Sequence, residues 1–283
     1  MTISKKQIGI IGGSGVYNIE GVEIMKEHDI STPFGSPSSP VIEAKLEGVT
    51  FFFIPRHGKN HNFLPSEVNY RANIYALKTL GVEYIISVSA VGSLKEELPP
   101  KTFVLVDQFI DWTKGKRERS FFGNGIVAHV SNADPIQKDL QNLMEESCKE
   151  CELKYSKGGS YICIEGPQFS TRAESKLYKS FDASVIGMTN VPESFLAKEA
   201  GIAYATVAMV TDFDGWKEEH CTVEEIMNVM KTNNANAQSL LKNLLPRLDK
   251  NRFDFQKENA IGVMTPKESW SSEMKEIMEV LLD

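Results

Sequence analysis

The chain has 283 residues, of which 41% are hydrophobic and 24% are charged, as in ordinary soluble globular proteins. This composition excludes disordered, collagen-like and coiled-coil proteins. The formal net charge of −7, from 38 acidic and 31 basic residues, argues against a nucleic-acid partner, because the phosphate backbone attracts a positive surface. The length allows either two average domains or one large α/β domain.

Targeting signals and cysteine usage predict the compartment. The N-terminal residues lack the apolar core of a signal peptide, and no stretch approaches the roughly 20 apolar residues of a membrane span, so we expect no membrane partner. Four cysteines do not suggest a disulfide scaffold. Cys148 and Cys151 have the spacing of half a zinc site, but no second pair is near, so we expect no metal. These features predict a cytoplasmic protein.

Short apolar runs alternate with amphipathic stretches along the chain. Strands are predicted at residues 8–11, 41–46, 49–54, 84–89, 103–106, 184–187 and 203–210. Helices are predicted at residues 65–80, 135–151, 191–200, 222–245 and about 265–282. The alternation of strands and helices indicates an α/β fold.

No linker or repeat divides the chain, so we expect one domain over residues 1–283. Residues 249–283 form a charged segment and a C-terminal helix in this interpretation. The apolar stripe of that last helix must cover either the protein's own core or a partner subunit.

A glycine-rich turn, Gly12-Gly13-Ser14-Gly15, follows the first predicted strand. Backbone N–H groups at such a turn can bind an anion. The segment lacks the third glycine of a dinucleotide fingerprint, the lysine of a P-loop and the second glycine of a nucleophile elbow. A structural turn and an anion site both remain compatible with it.

Side chains suited to an anion follow other predicted strands. Arg56 offers a planar fork for oxyanions, and His57 can donate a hydrogen bond. A metal bound by His57 and His61 is disfavoured, because the sequence between them does not favour a helix. Ser89 and Thr189 lie at the ends of two further strands. If the strands are parallel, these side chains converge where ligands bind in open α/β sheets.

Two acidic residues, Asp212 and Asp214, follow the most hydrophobic predicted strand. They could cap the next helix. They could equally form a site in which burial and the neighbouring charge raise the pKa of one carboxyl.

Several motifs together resemble the 5′-methylthioadenosine phosphorylase family, within the trimeric purine nucleoside phosphorylase superfamily, over residues 8–248. They are Gly-Ile-Ile-Gly-Gly-Ser-Gly at 9–15, Pro-Arg-His-Gly at 55–58, Asp-Gln-Phe-Ile-Asp at 107–111, Glu-Gly-Pro-Gln-Phe-Ser-Thr-Arg-Ala-Glu at 165–174, Met-Thr-Asn-Val-Pro-Glu at 188–193, and Thr-Asp-Phe-Asp-Gly-Trp-Lys at 211–217. The resemblance implies a central mixed, twisted β-sheet flanked by helices.

The same resemblance implies phosphorolysis of methylthioadenosine by a homotrimer, in purine and methionine salvage. Inorganic phosphate is the co-substrate, and no cofactor is needed. The implied phosphate ligands are Ser14, Arg56, His57, Ser89, Ala90 and Thr189. The implied nucleoside-binding residues are Phe169, Ser170, Met188, Phe213, Val223, Ile226 and, from a neighbouring subunit, His129.

The resemblance also assigns the base chemistry. Asp212 would donate a proton to N7 of the purine, with Asp214 supporting it and accepting from the 6-amino group. Related 6-oxopurine enzymes have Asn at the position of Asp212, so this sequence looks adenine-specific. Val223 and Ile226 stand near where those enzymes carry a histidine for a 5′-hydroxyl, and apolar side chains suit a thioether instead.

Other functions remain open at this stage. A phosphorylase of S-methyl-5′-thioinosine, or of adenosine or inosine-type nucleosides, is the alternative within the superfamily. A non-catalytic nucleotide-binding domain would explain the glycine turn but would give Arg56, His57 and the aspartates no joint role. A dehydrogenase is disfavoured by the incomplete fingerprint.

Overall fold

The computed structural model describes residues 6–13, 19–217 and 223–283, with the side chain of Val223 excepted. Within these residues one mixed β-sheet forms the centre of the molecule, and helices pack on it. Its strands are β1 (Gln7–Gly12), β2 (Glu23–His28), β3 (Val41–Leu46), β4 (Val49–Pro55), β5 (Val82–Ser93), β6 (Phe103–Leu105), β7 (Gln108–Trp112), β8 (Tyr155–Lys157), β9 (Ser160–Ile164), β10 (Val185–Gly187) and β11 (Ala203–Phe213). The helices are α1 (Tyr70–Thr79), α2 (Lys138–Glu150), α3 (Arg172–Ser180), α4 (Asn190–Glu199), α5 (Val223–Lys250) and α6 (Ser272–Leu282).

The sheet is organised around β5. Strands β4, β1, β5 and β11 run parallel, with β5 between β1 and β11. The last residues of β5 pair instead with β10, which runs antiparallel to it. The predicted fold class, a mixed sheet flanked by helices, is confirmed.

Every predicted strand and helix is present, and the boundaries differ where local signals compete. Helix α1 starts five residues later than predicted, because the Asn69 side chain caps it by accepting from Ala72 N–H at 3.1 Å. Strand β5 continues past Ser89 to Ser93. Helix α5 continues through Pro246 to Lys250, with Leu248 buried beyond the proline.

Four strands and one helix were missed by the sequence analysis. Strand β2 lies at an edge of the sheet and is exposed at nearly every position, so it lacks an apolar run. Strand β8 has only three residues, and β7 is only partly buried. Helix α3 buries only Ser175 and Tyr178, so its amphipathic pattern is weak in large apolar residues.

The C-terminal segment packs on the chain's own core. Tyr84 donates a hydrogen bond to the carbonyl oxygen of Phe253 at 2.6 Å, and the rings of the two residues make an edge contact. Helix α6 packs against α1 and buries Met274, Ile277 and Leu281. Of the two alternatives for its apolar stripe, the protein's own core is correct. None of the helices in the described ranges has both the length and the apolar character of a membrane span.

Glu199, the last residue of α4, fixes the segment that follows β7. Its Oε1 accepts a hydrogen bond from the Ser120 hydroxyl at 2.9 Å, and its Oε2 accepts from Phe121 N–H at 2.8 Å. The Phe121 ring packs in the core beside Phe34. Burial raises the pKa of Glu199 to about 7, although both hydrogen bonds oppose the rise.

The raised pKa of Glu199 predicts a pH-dependent contribution to stability. The folded carboxyl keeps its proton up to about pH 7, whereas the unfolded one loses it near the ordinary value of 4.5, so stability falls as the pH rises between the two. We expect Glu199→Gln to have a higher Tm than the wild type at about pH 8, with the advantage lost at about pH 5. Thermal unfolding at both pH values measures this difference.

The exposed Glu268 supplies a control for the Glu199 experiment. Its replacement by Gln should leave the Tm unchanged at either pH. The same Tm difference between Glu199→Gln and the wild type at both pH values would contradict the prediction.

Candidate active site

One cavity of about 540 Å³ lies against β5, β11 and α5. Its volume is in the range typical of sites for small ligands. Its lining comes from the segment after β4, the second half of β5, the segment after β10, the end of β11 and the face of α5. Seven of the residues predicted from sequence to bind phosphate or perform base chemistry line it: Arg56, His57, Ser89, Ala90, Thr189, Asp212 and Asp214. Ser14 lies outside the described residues.

These residues converge for a different reason from the one predicted. The prediction required parallel strands ending together, but β5 does not end at Ser89 and β10 is antiparallel to it. Because Ile186 pairs with Gly92, the residues after β10 come to lie beside the middle of β5. Thr189 therefore reaches Ser89, and their hydroxyl oxygens are 3.3 Å apart.

Arg56 is buried and held by a dense set of hydrogen bonds. Its Nε donates to Glu193 Oε2 at 2.6 Å, and its Nη2 lies 3.0 Å from Glu193 Oε1. Nη2 also lies 2.8 Å from the Ser87 hydroxyl, and Nη1 donates to the carbonyl oxygen of Val88 at 3.2 Å. Burial alone would lower the pKa of Arg56, but the charge of Glu193 raises it above its ordinary value. The guanidinium is therefore a fixed, permanently charged group at the cavity wall.

His57 lies beside Arg56 as a neutral ring. Its Nδ1 is 2.9 Å from the carbonyl oxygen of Phe63, which fixes that nitrogen as the protonated one and leaves Nε2 as an acceptor. Burial lowers the pKa of His57 to about 4, and the charge of Arg56 acts in the same direction. The His61 ring stacks on it with a centroid distance of 4.5 Å. Among the described residues, no three or more His, Cys, Asp or Glu side chains form a group that could hold a metal ion.

Tyr161 supports the hydroxyl pair and was missed by the sequence analysis. Its ring is fully buried, and its hydroxyl lies 3.4 Å from both Ser89 Oγ and the Thr189 backbone nitrogen. Gly187 makes room for it, because a Cβ at that position would overlap the Tyr161 hydroxyl. No sequence pattern reveals this contact, since it depends on the pairing of β9 with β10.

A β-bulge directs the two aspartates into the cavity. Along β11, Val210 pairs with Val91 and Asp212 pairs with Gly92, so Thr211 is an extra residue. The extra residue reverses the alternation of side chains, so that Thr211 and Asp212 both line the cavity. Asp212 lies within β11, and residues 215–217 after Asp214 are not helical, so neither aspartate caps a helix.

Burial raises the pKa of both aspartates. For Asp212 a hydrogen bond from Thr211 Oγ1, at 2.6 Å, opposes the rise, and the charge of Asp214 adds to it. For Asp214 the nearby hydroxyls of Ser175 and Ser170 oppose the rise. Among the described residues, Asp214 Oδ2 and Ser170 Oγ are nevertheless buried without a hydrogen bond. Both residues line the cavity, so a polar ligand there can satisfy these atoms.

The predicted nucleoside-binding residues are divided between the cavity and the surface. Ser170, Met188 and Ile226 line the cavity, and Met209 and Met230 add apolar surface that the sequence analysis missed. The side chain of Val223 is outside the described part of the structure.

Three other predicted residues lie towards or beyond the cavity rim. Phe169 lines the cavity but is 80% exposed, so it packs on little of the rest of the chain. Phe213 packs on Trp216, with ring centroids 5.5 Å apart, and does not line the cavity. His129 does not line the cavity of its own chain, and its backbone N–H bonds to the Gly262 carbonyl oxygen at 2.8 Å. Its role in a neighbouring subunit stays a prediction.

The chain is similar to known proteins over most of its length. The family model described as "Phosphorylase superfamily" matches residues 7–246. An S-methyl-5′-thioadenosine phosphorylase of Geobacter sulfurreducens is 47% identical, covering 97% of each chain, and that of Pyrococcus furiosus is 53% identical, covering 87% of this chain and 94% of the relative.

Solved structures of similar proteins have the same fold. A methylthioadenosine phosphorylase from an antarctic soil metagenomic library has a TM-score of 0.93 at 44% identity, covering 99% of this chain and 100% of that one. The Schistosoma mansoni methylthioadenosine phosphorylase in complex with adenine has a TM-score of 0.83 at 35% identity, covering 91% and 96%. The match over most of the chain shows that this protein belongs to the phosphorylase superfamily.

Proposed function

We propose that the protein catalyses phosphorolysis of 5′-methylthioadenosine, which gives adenine and 5-methylthioribose 1-phosphate. The observation that carries the proposal is one cavity with anion-binding donors in one part and two carboxyls of raised pKa in another. The relatives bearing the corresponding name, at about half identity, support the same substrate.

The anion-binding part suits inorganic phosphate. Arg56 supplies a charged donor, and Ser89 and Thr189 supply hydroxyls 3.3 Å apart. Ala90 lies next to them on β5 and lines the cavity. Ser14 is included in the proposal as the hydroxyl of the glycine turn after β1. Phosphate bound here would attack C1′ of the ribose and stabilise the positive charge that develops on the sugar.

The acidic part suits the purine. Breaking the N-glycosidic bond places negative charge on the base, and a protonated carboxyl near N7 stabilises that charge by donating its proton. Burial favours the protonated form of Asp212, which therefore takes this role in the proposal. Asp214, with its unpaired Oδ2, accepts from the 6-amino group of adenine. A carboxylate acceptor at this position favours a 6-aminopurine over a 6-oxopurine.

The remaining wall suits an apolar 5′ substituent. Ile226 and Met230 face the cavity from the first part of α5, and Leu241 lines it from further along the same helix. A thioether loses little solvation on entering such surroundings, whereas a hydroxyl without a partner loses a hydrogen bond to water. This wall supports methylthioadenosine over adenosine or inosine, the alternatives within the superfamily. Phe169 and Met188 would then cover the base and the sugar.

We also propose an oligomeric state and a cellular location for the protein. No cofactor or metal is required, and the reaction belongs to purine and methionine salvage in the cytoplasm. A homotrimer is proposed, in which His129 reaches the site of a neighbour. Apolar side chains exposed near His129 support an interface there: Val127, Ile261 and Met264 are 53%, 72% and 65% exposed. They lie on two segments joined by the backbone bond from Met264 to Val127.

Phosphate dependence tests the reaction directly. We expect the purified protein to release adenine from methylthioadenosine when inorganic phosphate or arsenate is present and not otherwise, because the anion is the nucleophile. Adenine and the sugar product are quantified by chromatography in phosphate-free buffer with and without each anion.

Two results would contradict phosphorolysis in different ways. Adenine release at the same rate without phosphate would identify a hydrolase. Binding of methylthioadenosine without any release would favour a non-catalytic nucleotide-binding domain.

Replacing Asp212 tests the base assignment. Asp212→Asn should lower kcat/KM for methylthioadenosine by about 100-fold or more, because an amide cannot supply the carboxyl proton. The variant should also gain activity on 6-oxopurine nucleosides relative to 6-aminopurines, since an amide N–H₂ beside N7 still donates to a 6-oxo oxygen, whereas a carboxyl that has given its proton to N7 repels that oxygen. Steady-state kinetics on methylthioadenosine and inosine give both ratios.

The exposed Asp139, in the first turn of α2, supplies the matched control. Asp139→Asn should leave both kcat/KM values unchanged. An unchanged ratio between the two substrates in Asp212→Asn would exclude Asp212 as the residue that distinguishes the bases.

A further inference from the structure

The electrostatics of the anion-binding part are unusual for a site that binds a multiply charged ion. Among the described residues that line the cavity, Arg56 is the only arginine or lysine. His57 beside it is neutral at pH 7, because burial and the charge of Arg56 lower its pKa to about 4. The hydroxyls of Ser89 and Thr189 carry no charge. The formal charge of this part of the cavity therefore depends on Arg56 and on the charge of the side chain that pairs with it.

Glu193 pairs with Arg56 from the side away from the cavity. It is 2% exposed and does not line the cavity. Its two oxygens contact Nε and Nη2 of Arg56 at 2.6 and 3.0 Å, the two-point geometry of a strong ion pair. The hydroxyls of Ser87 and Tyr204 donate to Oε1 at 2.7 and 2.8 Å. A carboxyl group surrounded by donors alone is an ionised one.

The position of Glu193 is itself fixed. Asn190 donates from Nδ2 to the Ser87 hydroxyl at 3.0 Å and to the Tyr204 hydroxyl at 2.9 Å. Thr206 donates to Asn190 Oδ1 at 3.2 Å. Each of these hydroxyls and amides is buried, and the network leaves Glu193 no alternative partner. The carboxylate therefore cannot turn away from Arg56 when an anion arrives.

The guanidinium of Arg56 also has one N–H that these hydrogen bonds do not use. Nε–H is used by Glu193, and both hydrogens of Nη2 are shared among Glu193, Ser87 and the Ile11 carbonyl oxygen at 3.4 Å. Nη1 carries two hydrogens and, within the described part of the chain, has one bond, to Val88. The Arg56 guanidinium, whose charge Glu193 balances, thus has one N–H for a ligand in the cavity.

We infer that Glu193 is the positioning residue of the phosphate site: it orients Arg56 and cancels its charge, so that the site carries no net charge before phosphate binds. The inference rests on the proposed function, since it concerns the same anion. Such a site binds phosphate through directed hydrogen bonds and not through net attraction. The affinity for phosphate is then moderate, and the sugar phosphate product is released without having to leave an uncompensated cation behind.

Glu193→Gln tests the inference because it removes the charge and keeps the shape of the side chain. An uncompensated Arg56 should attract an anion more strongly, so we expect the Kd for inorganic phosphate to fall about tenfold. Isothermal calorimetry with sodium phosphate and no nucleoside measures this Kd. The KM for phosphate should fall likewise, while the KM for methylthioadenosine stays within about twofold. If Glu193 only stabilised the fold, its replacement would weaken phosphate binding and could not make binding tighter.

Two matched variants separate charge from packing. Glu193→Asp keeps the charge, and its Kd for phosphate should stay within about threefold of the wild type. Glu268→Gln removes an exposed negative charge that does not line the cavity, and it should leave both the Tm and the Kd for phosphate unchanged. A folded Glu193→Gln that binds phosphate as the wild type does, or more weakly, overturns the inference.

A measurement on the wild type decides the matter if Glu193→Gln does not fold. A site without net charge should show little change in the Kd for phosphate between about 50 and 500 mM sodium chloride, whereas a steep weakening with salt would reveal an unbalanced cation and overturn the inference. Failure of the proposed function looks different: the wild-type protein would then neither bind phosphate nor need it for adenine release.

Discussion

The backbone pairing of β5 places every part of the cavity. Its first half pairs with β1, its end pairs with the antiparallel β10, and β11 follows it along nearly its whole length. Arg56 enters next to β1, because its backbone N–H donates to Gly12 at 2.9 Å. Arg56, Ser89, the two aspartates and the residues after β10 are therefore positioned by one strand, and a displacement of β5 would separate them.

Buried polar groups around the cavity fall into two kinds. Those behind the cavity, around Glu193, are satisfied by one another and form a rigid support. Those facing the cavity include atoms without partners, Asp214 Oδ2 and Ser170 Oγ. The contrast distinguishes the scaffold from the binding surface, since an unpaired buried atom costs free energy that only a ligand or water can recover.

The sequence predicts most of the buried strands, because strands covered on both faces are continuous apolar runs, although it misses the buried β9. It also predicts the convergence of Arg56, Ser89 and Thr189, although the topology behind that convergence is mixed and not parallel. It could not predict contacts that depend on strand register. Tyr161 reaches Thr189 only because β9 lies beside β10, and Glu193 looks like an ordinary helix residue until its pairing with Arg56 is seen.

The bulge at Thr211 has a consequence for how the binding site can diverge. The backbone, through one extra residue in β11, determines where the side chain at position 212 points. The direction of the side chain therefore does not depend on which residue occupies position 212. A single nucleotide change in a gene can exchange one small polar residue for another here without any rearrangement of the sheet. An insertion or deletion in the same strand would instead turn the side chains of Asp212 and Asp214 away from the cavity. The chemistry of this wall can therefore change by substitution at position 212, whereas a change in the length of β11 would disrupt it.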